Sequence, residues 1–312
     1  TLCNSDDQVN FETLLNLDDK KIHSPFTDLN TLLLSDALII ETLKNQKIDA
    51  TIHIIICSDI EQNISPRLLI KLRENSSIRI FEHYLTSNSC VINSLTEINC
   101  EKNSQLDYFK IIDEQEDGYH LNLSNIRLAK SSAFNLFSWD SGAKISRNNI
   151  NVDLMEENAS VNLNNLFSPN EKLHIDNQLK IKHIGEKCES SLDYRGILKD
   201  QSTGVFGGTV YVDQGAANTQ SNMANRNLLL SDHARINTKP VLEIYNEDVQ
   251  CTHSATSGHL DEEKLFYIQS RGIGESDAMN ILIQSFASEL VEKIKNSQMK
   301  RIFQEYLFQK MQ

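Results

Sequence analysis

Long apolar runs are missing from this chain. No stretch approaches the roughly 18 residues that a membrane-spanning helix needs, and Thr1 to Asn10 lacks the apolar segment of a secretory signal. A cytoplasmic chain is therefore expected. Basic residues are outnumbered, 30 against 43 acidic, for a net charge of −13. Such a surface repels phosphate backbones and anionic lipid, which argues against nucleic acid or membrane as the main partner. The six cysteines, at positions 3, 57, 90, 100, 188 and 251, form no C-x-x-C pair. That spacing excludes the usual zinc-ribbon and ferredoxin sites, and a disulfide framework does not suit a chain of this length without a secretory signal. Most of these cysteines, Cys57 in its apolar run Ile52 to Ile56 among them, read as buried free thiols. Nucleotide-binding, esterase and zinc-protease signatures are absent too; Gly204 to Gly208 has no following Lys, so ATP binding by this chain is not expected.

Glycine and proline are also scarce, 11 and 4 in 312 residues, so most turns must be made from something else. What is present is a period of two. Ile52, Ile54 and Ile56; Ile78 and Ile80; Leu121 and Leu123; Ile150, Val152 and Leu154; Val161 and Leu163; Leu173 and Ile175; Leu179 and Ile181; and Val210 and Val212 alternate with polar neighbours. Alternation of this kind marks strands with one buried face. Strands that short, recurring about every ten residues, fit a sandwich, a barrel or a solenoid. Asparagine fills the expected joints at Asn148, Asn149, Asn164, Asn165, Asn177, Asn218, Asn225 and Asn227. Because it tolerates left-handed backbone and stacks in ladders, it leans the reading toward a solenoid.

After Asp261 the spacing turns helical. Asp261 should cap a helix over 262–269, Ser276 should precede one over 277–295, and a third is expected over about 299–310. Met279, Ile283, Phe286, Ala287, Leu290, Val291 and Ile294 form one apolar stripe, for packing on the β body or for a partner. At the other end, Phe11, Leu14, Leu15 and Leu17 suggest the end of a helix.

At the junction of the two regimes, Cys251 and His253 stand two residues apart. If that segment is a strand, thiol and imidazole leave one face together, a small patch with metal-ligand chemistry. The residues around them are ordered Pro240-x-Leu242-Glu243-Ile244, then Asp248-Val249-x-Cys251-x-His253-x-Ala255-Thr256-x-Gly258, Leu260-Asp261, Leu265-Phe266-Tyr267 and Ser270-Arg271-Gly272-Ile273. Upstream come Gly196 to Leu198, Val205-Phe206-x-Gly208, Asn227 to Asp232 and, more weakly, Ser24-Pro25-Phe26-x-x-Leu29-Asn30. In this order the chain resembles the SufB/SufD family of iron-sulfur cluster assembly proteins of the SUF system. The absence of Glu after His253 favours the SufD branch over a SufB-like scaffold subunit. Thr252 and Ser254 depart from the Ser and Gly usual there.

The resemblance implies a right-handed parallel β-helix core over 46–260, a C-terminal helical domain over 261–312, and a remnant, 1–45, of a helical N-terminal region that this sequence mostly lacks. It also implies a non-catalytic scaffold subunit that pairs with SufB through the β-helix and docks the SufC ATPase on the C-terminal helices, a homodimer being possible. Cys251 and His253 would then be ligands for transient iron or an iron-sulfur cluster shared with SufB. Leu265, Phe266, Tyr267, Arg271, Met279, Ile283, Phe286 and Leu290 would dock SufC or pack. His233 and His259 are weaker ligand candidates, and Glu243 and Arg271 read as a buried ion pair or a helix-end contact. The rival from another class is a β-helix polysaccharide-active enzyme, which needs convergent carboxylates. Here Asp113, Glu114, Glu116 and Asp117 cluster in what reads as a solvated turn.

Overall fold

A computed structural model describes residues 25–34, 37–58, 63–86, 90–113 and 117–310. The pattern from Phe11 to Leu17, together with Cys3, lies outside them. A short helix, α1 (Pro25–Leu32), precedes the strands β1 (Ala37–Glu41), β2 (Lys47–Ser58), β3 (Arg67–Leu72), β4 (Ser77–Thr86), β5 (Val91–Cys100) and β6 (Gln105–Asp113). They continue as β7 (Tyr119–Leu128), β8 (Ala133–Gly142), β9 (Ile145–Leu154), β10 (Ser160–Phe167) and β11 (His174–His183). The last are β12 (Glu189–Leu198), β13 (Thr203–Val212), β14 (Thr219–Leu229), β15 (Arg235–Ile244) and β16 (Val249–Gly258). Three helices close the chain: α2 (Glu262–Ser270), α3 (Glu275–Val291) and α4 (Ser297–Lys310). None of the described helices is long and apolar enough to cross a membrane.

Odd-numbered strands make one 8-stranded sheet and even-numbered strands the other. Every strand pairs in parallel with the strand two places on, so the chain winds as a β-solenoid of about 7 turns. The expected parallel β-helix is thus what the sequence builds. The alternating residues face the axis, as the period of two requires: Ile78, Ile80, Val152, Leu163, Ile181 and Val210 are all buried in one continuous core. Motif glycines make room inside it. A Cβ on Gly208 would lie 2.4 Å from the Met223 sulfur, and one on Gly196 2.6 Å from the Phe167 ring.

Asparagine does turn corners, but mostly at positions other than those expected. Asn45, Asn75, Asn103, Asn158 and Asn218 hold φ between 55° and 61°, and Ser131 and Lys187 take the same role in other coils. The first three form a ladder, Asn103 Nδ2 donating to Asn75 Oδ1 and Asn75 Nδ2 to Asn45 Oδ1, each at 2.9 Å. Of the expected corner residues only Asn218 is one; Asn148, Asn149, Asn164, Asn165, Asn177, Asn225 and Asn227 lie inside strands. Five of these, at 148, 165, 177, 225 and 227, are buried, and interior polar groups bond to all five, though Asn177 Nδ2 has no protein partner. Cys57 departs from expectation as well. It is exposed, because it shares the outward phase of His53 and Ile55 on β2, the edge strand of its sheet.

Asp261 caps α2 as expected, accepting from the backbone N–H groups of Glu263 and Lys264 at 3.1 Å. The next helix starts two residues earlier than Ser276 suggests, with Gly274 as its cap, and ends at Val291. Asn296 explains why it does not continue: its Oδ1 accepts from Met299 N at 2.9 Å and so opens α4. Both α3 and α4 lie on the outer face of the even sheet. Ile283, Ala287, Leu290 and Val291 pack with Leu166, Ile197 and Leu228, while Phe303 meets the Phe81, Phe109 and Phe137 rings. Removing a ring so enclosed as Phe303 costs roughly 3–5 kcal/mol in comparable cores. Beneath this apolar seam lies a charged tie. Asp193 faces Arg195, Arg226 and Lys293, and although burial works to raise its pKa, Lys293 and Arg195 hold it below the ordinary value.

One ion pair is fully inside the solenoid: Lys110 Nζ lies 3.1 Å from Glu82 Oε2, and both side chains are buried. The Glu82 carboxylate also accepts from the Tyr84 and Tyr108 hydroxyls at 2.8 Å. Lys110→Met leaves that carboxylate buried without its cation and is expected to destabilise the chain by about 3–5 kcal/mol in urea unfolding. The double change Glu82→Leu with Lys110→Met should recover most of the loss, and equal losses for single and double variants would contradict this account.

Candidate functional site

The solenoid ends in two unpaired edges. β15 bonds only to β13, and β16 only to β14, so one flank of each carries backbone groups with no described strand beside them. Exposure rises accordingly: β14 is mostly buried, whereas in β16 no residue is. Cys251 and His253 both lie on the axis-facing phase of β16, in register with the inward Ser221 and Met223 of β14. Their shared face is the one expected from their spacing. Cys251 is half-buried against the last rung of the core, and that burial pushes its thiol pKa up, with the Ser221 backbone acting in the opposite sense. His253 is exposed because no further coil covers it. Between them, Thr252 points outward and donates to Asn222 Oδ1 at 3.0 Å.

A hydrogen-bonded file leads from the interior to this end. His183 Nε2 lies 2.8 Å from Ser190 Oγ, which lies 2.8 Å from Ser221 Oγ, directly inward of Cys251 in the strand register. Sequence reading missed it, since His183 and Ser190 flank a turn and Ser221 is one whole coil away. Burial drives the His183 pKa down to about 4.

The other residues named from sequence divide cleanly. Ile283 and Leu290 are buried against the even sheet, and Phe286 packs at its margin, its carbonyl accepting from Arg195 at 2.5 Å. Met279 and Leu265 are half-buried. Phe266 and Tyr267 are 72% and 59% exposed, and Arg271 caps the end of α2 while stacking on the Tyr267 ring at 5.1 Å. Glu243 is exposed, so no buried ion pair joins it to Arg271. His259 Nδ1 is 3.0 Å from the Leu229 carbonyl, and His233 is exposed. Asp113 is not simply solvated: it accepts from Ser141 at 3.2 Å and from Lys310 at 2.6 Å, tying the end of α4 to the body. Glu114 and Glu116 lie outside the described residues. Among the described residues no group of three or more His, Cys, Asp or Glu is placed to hold a metal ion.

The profile of the SUF system FeS cluster assembly SufBD core domain matches residues 55–286. The chain is 32% identical over 234 residues, 74% of its length, to the iron-sulfur cluster assembly protein SufD of Escherichia coli. It is 29% identical over 282 residues, 86% of its length, to an iron-sulfur cluster assembly SufBD family protein of Synechocystis. A SufD of Plasmodium falciparum is 24% identical over 248 residues, 78% of the chain. The matches span 55% of the Escherichia coli protein, 62% of the Synechocystis protein and 17% of the Plasmodium protein.

The depressed His183 has a measurable consequence. Its folded value, about 4, is below the ordinary 6.5, so the unfolded chain takes up the proton first. Its contribution is intact above pH 6.5 and is lost as pH falls from 6.5 through 4, by at most about 3 kcal/mol. Urea unfolding at pH 7.5 and pH 4.5 should show a smaller acid loss in His183→Gln than in the wild-type chain. An identical loss in both would show that this imidazole titrates normally in the fold.

Proposed function

The chain belongs to the SufB/SufD family of iron-sulfur cluster assembly proteins, and from that membership we propose that it acts as the SufD-type subunit of a SUF scaffold complex. In this reading it lends Cys251 and His253 to iron or a nascent cluster at a joint with SufB, while SufC, docked on the C-terminal helices, hydrolyses ATP. The observation that carries the reading is the position of the pair. Both side chains project toward the axis of the last coil, at the C-terminal end of the solenoid, where β15 and β16 stop with free edges.

Unpaired parallel edges favour a partner that extends the sheets, because its backbone groups satisfy those that β15 and β16 leave open. A partner arriving there would cover His253 and complete the burial of Cys251. Thiolate and imidazole both suit iron, and as cargo a cluster needs more ligands than these two, so the remainder must come across the joint. The chain itself then contributes ligands and a rigid frame without catalysing a reaction. Phe266 and Tyr267, with Arg271 beside them, form an exposed aromatic patch on α2 apart from the buried stripe of α3. An aromatic and Arg cluster of this composition suits a docking hot spot, here for SufC.

Two measurements on the chain co-expressed with SufB and SufC test the two surfaces. With His253→Ala, the purified anaerobic complex should keep its subunits but hold about tenfold less iron or cluster absorbance; undiminished iron would remove His253 from the site. With Phe266→Asp, SufC should be lost while SufB is retained, a weakening of about 2 kcal/mol or more by pull-down titration. Unchanged SufC recovery would move the docking surface elsewhere.

A further inference from the structure

The interior of the solenoid is not apolar throughout. One inward row of the even sheet runs, strand by strand from β4 to β14, through Glu82, Lys110, Ser138, Asn165, Tyr194 and Asn225. The odd sheet contributes a row of Ser94, Asn122, Asn148 and Asn177. These rows bond into two groups. Toward the N-terminal side, Lys110 Nζ is shared between Glu82 and Asn122 Oδ1, at 3.1 and 2.9 Å. Toward the C-terminal side, Asp140 Oδ2 accepts from Ser146 and Asn148 at 2.5 and 2.8 Å, and Asn165 Oδ1 accepts from Ser138 at 2.9 Å.

Between the groups lies an internal cavity with about 30 Å³ of room for water centres, lined by Lys110, Asp140, Asn148, Asn165, Asn177 and Tyr194 among others. Two of these side chains have a polar atom with no protein partner, Asn177 Nδ2 and the Tyr194 hydroxyl, and each residue is 1% exposed. The Asn177 amide cannot turn to relieve this. Its Oδ1 already accepts from Asn148 Nδ2 and Asn165 Nδ2 at 3.4 Å, so turning it would set donor against donor. Burial raises the Tyr194 pKa, which keeps the phenol protonated and in need of an acceptor. A buried donor left without an acceptor is disfavoured, and a cavity of this size has room for about two waters.

We propose that this cavity is a permanent hydration site, in which ordered water accepts from Asn177 Nδ2 and Tyr194 OH and joins the two polar groups into one column. Much of the lining is apolar, Ile98, Phe134, Leu136 and Ile150 included, but the two orphaned donors need an acceptor, which water supplies and an apolar guest does not. Beyond Tyr194 the column continues. Asn225 Nδ2 donates to the Tyr194 carbonyl at 3.1 Å, Asn225 and Asn227 bond to each other, and Asn227 Nδ2 donates to the Thr256 carbonyl at 3.3 Å. Thr256 is in β16, so the hydrated column reaches the strand that carries Cys251 and His253. The inference is independent of any role in cluster assembly.

Oxygen-17 magnetic relaxation dispersion counts long-lived internal waters and tests this on the full chain. Tyr194→Phe removes one hydroxyl and leaves the ring, so it should lose at least one such water and lower the melting temperature by about 2–4 °C. The same number of long-lived waters in both chains overturns the proposal. Xenon-pressurised crystals of the wild-type chain give a readout that needs no variant: the cavity should stay free of xenon, and xenon bound between Asn177 and Tyr194 would show it to be dry.

Discussion

Each coil of this chain must leave its corner in the same phase as the coil before it. A slip of one residue would turn every inward side chain outward, since the strand period is two. The corner residues enforce that phase. Asn45, Asn75, Asn103, Ser131, Asn158, Lys187 and Asn218 adopt the same left-handed conformation in coil after coil, and the first three bond to one another. Once the corners agree, Val152 falls beneath Ile126 and above Ile181, and the core becomes a set of straight rows. The even sheet inherits a flat outer face from the same regularity, on which Phe81, Phe109 and Phe137 align to receive Phe303. The helical end of the chain is placed by the corners as surely as the strands are.

That regularity also makes polar residues inside the core tolerable. A lone Asn or Glu in an apolar interior is costly, but in a solenoid its neighbour one coil away occupies the same position and can answer it. Glu82 has Lys110 in the next rung, and Asn148 has Asn177. Where the rows of the two sheets fail to meet, at Tyr194 and Asn177, the remaining gap has room for about two waters. Rigid rows and a satisfied polar centre together give the last coil a fixed base. Cys251 and His253 therefore stand on a prepared surface, although nothing described covers them.

The end of a stack is also where its chemistry is freest. Along the solenoid, each coil buries the faces and edges of its neighbours, so among the described residues the terminal coils are where side chains and backbone groups are open at once. Placing a soft thiol and an imidazole there couples any metal they bind to whatever completes the sheets. The aromatic patch on α2 lies apart from the stripe that holds α3 down.

From sequence alone, the period of two, the capped helix after Asp261 and the common face of Cys251 and His253 were all legible, because each depends on residues close together in the chain. The family resemblance added the parallel β-helix. Which asparagines turn corners was not legible: Asn75 and Asn165 have the same chemistry, and only their phase within a coil sends one to a corner and the other to the axis. Nor could the exposed Cys57, the split between buried Ile283 and open Phe266, or the His183–Ser190–Ser221 file be read, since each depends on which coil or helix lies alongside. Local periodicity determined which way each side chain faces along its strand. Tertiary stacking alone decided what it faces, because contacts one coil apart join residues some thirty positions distant.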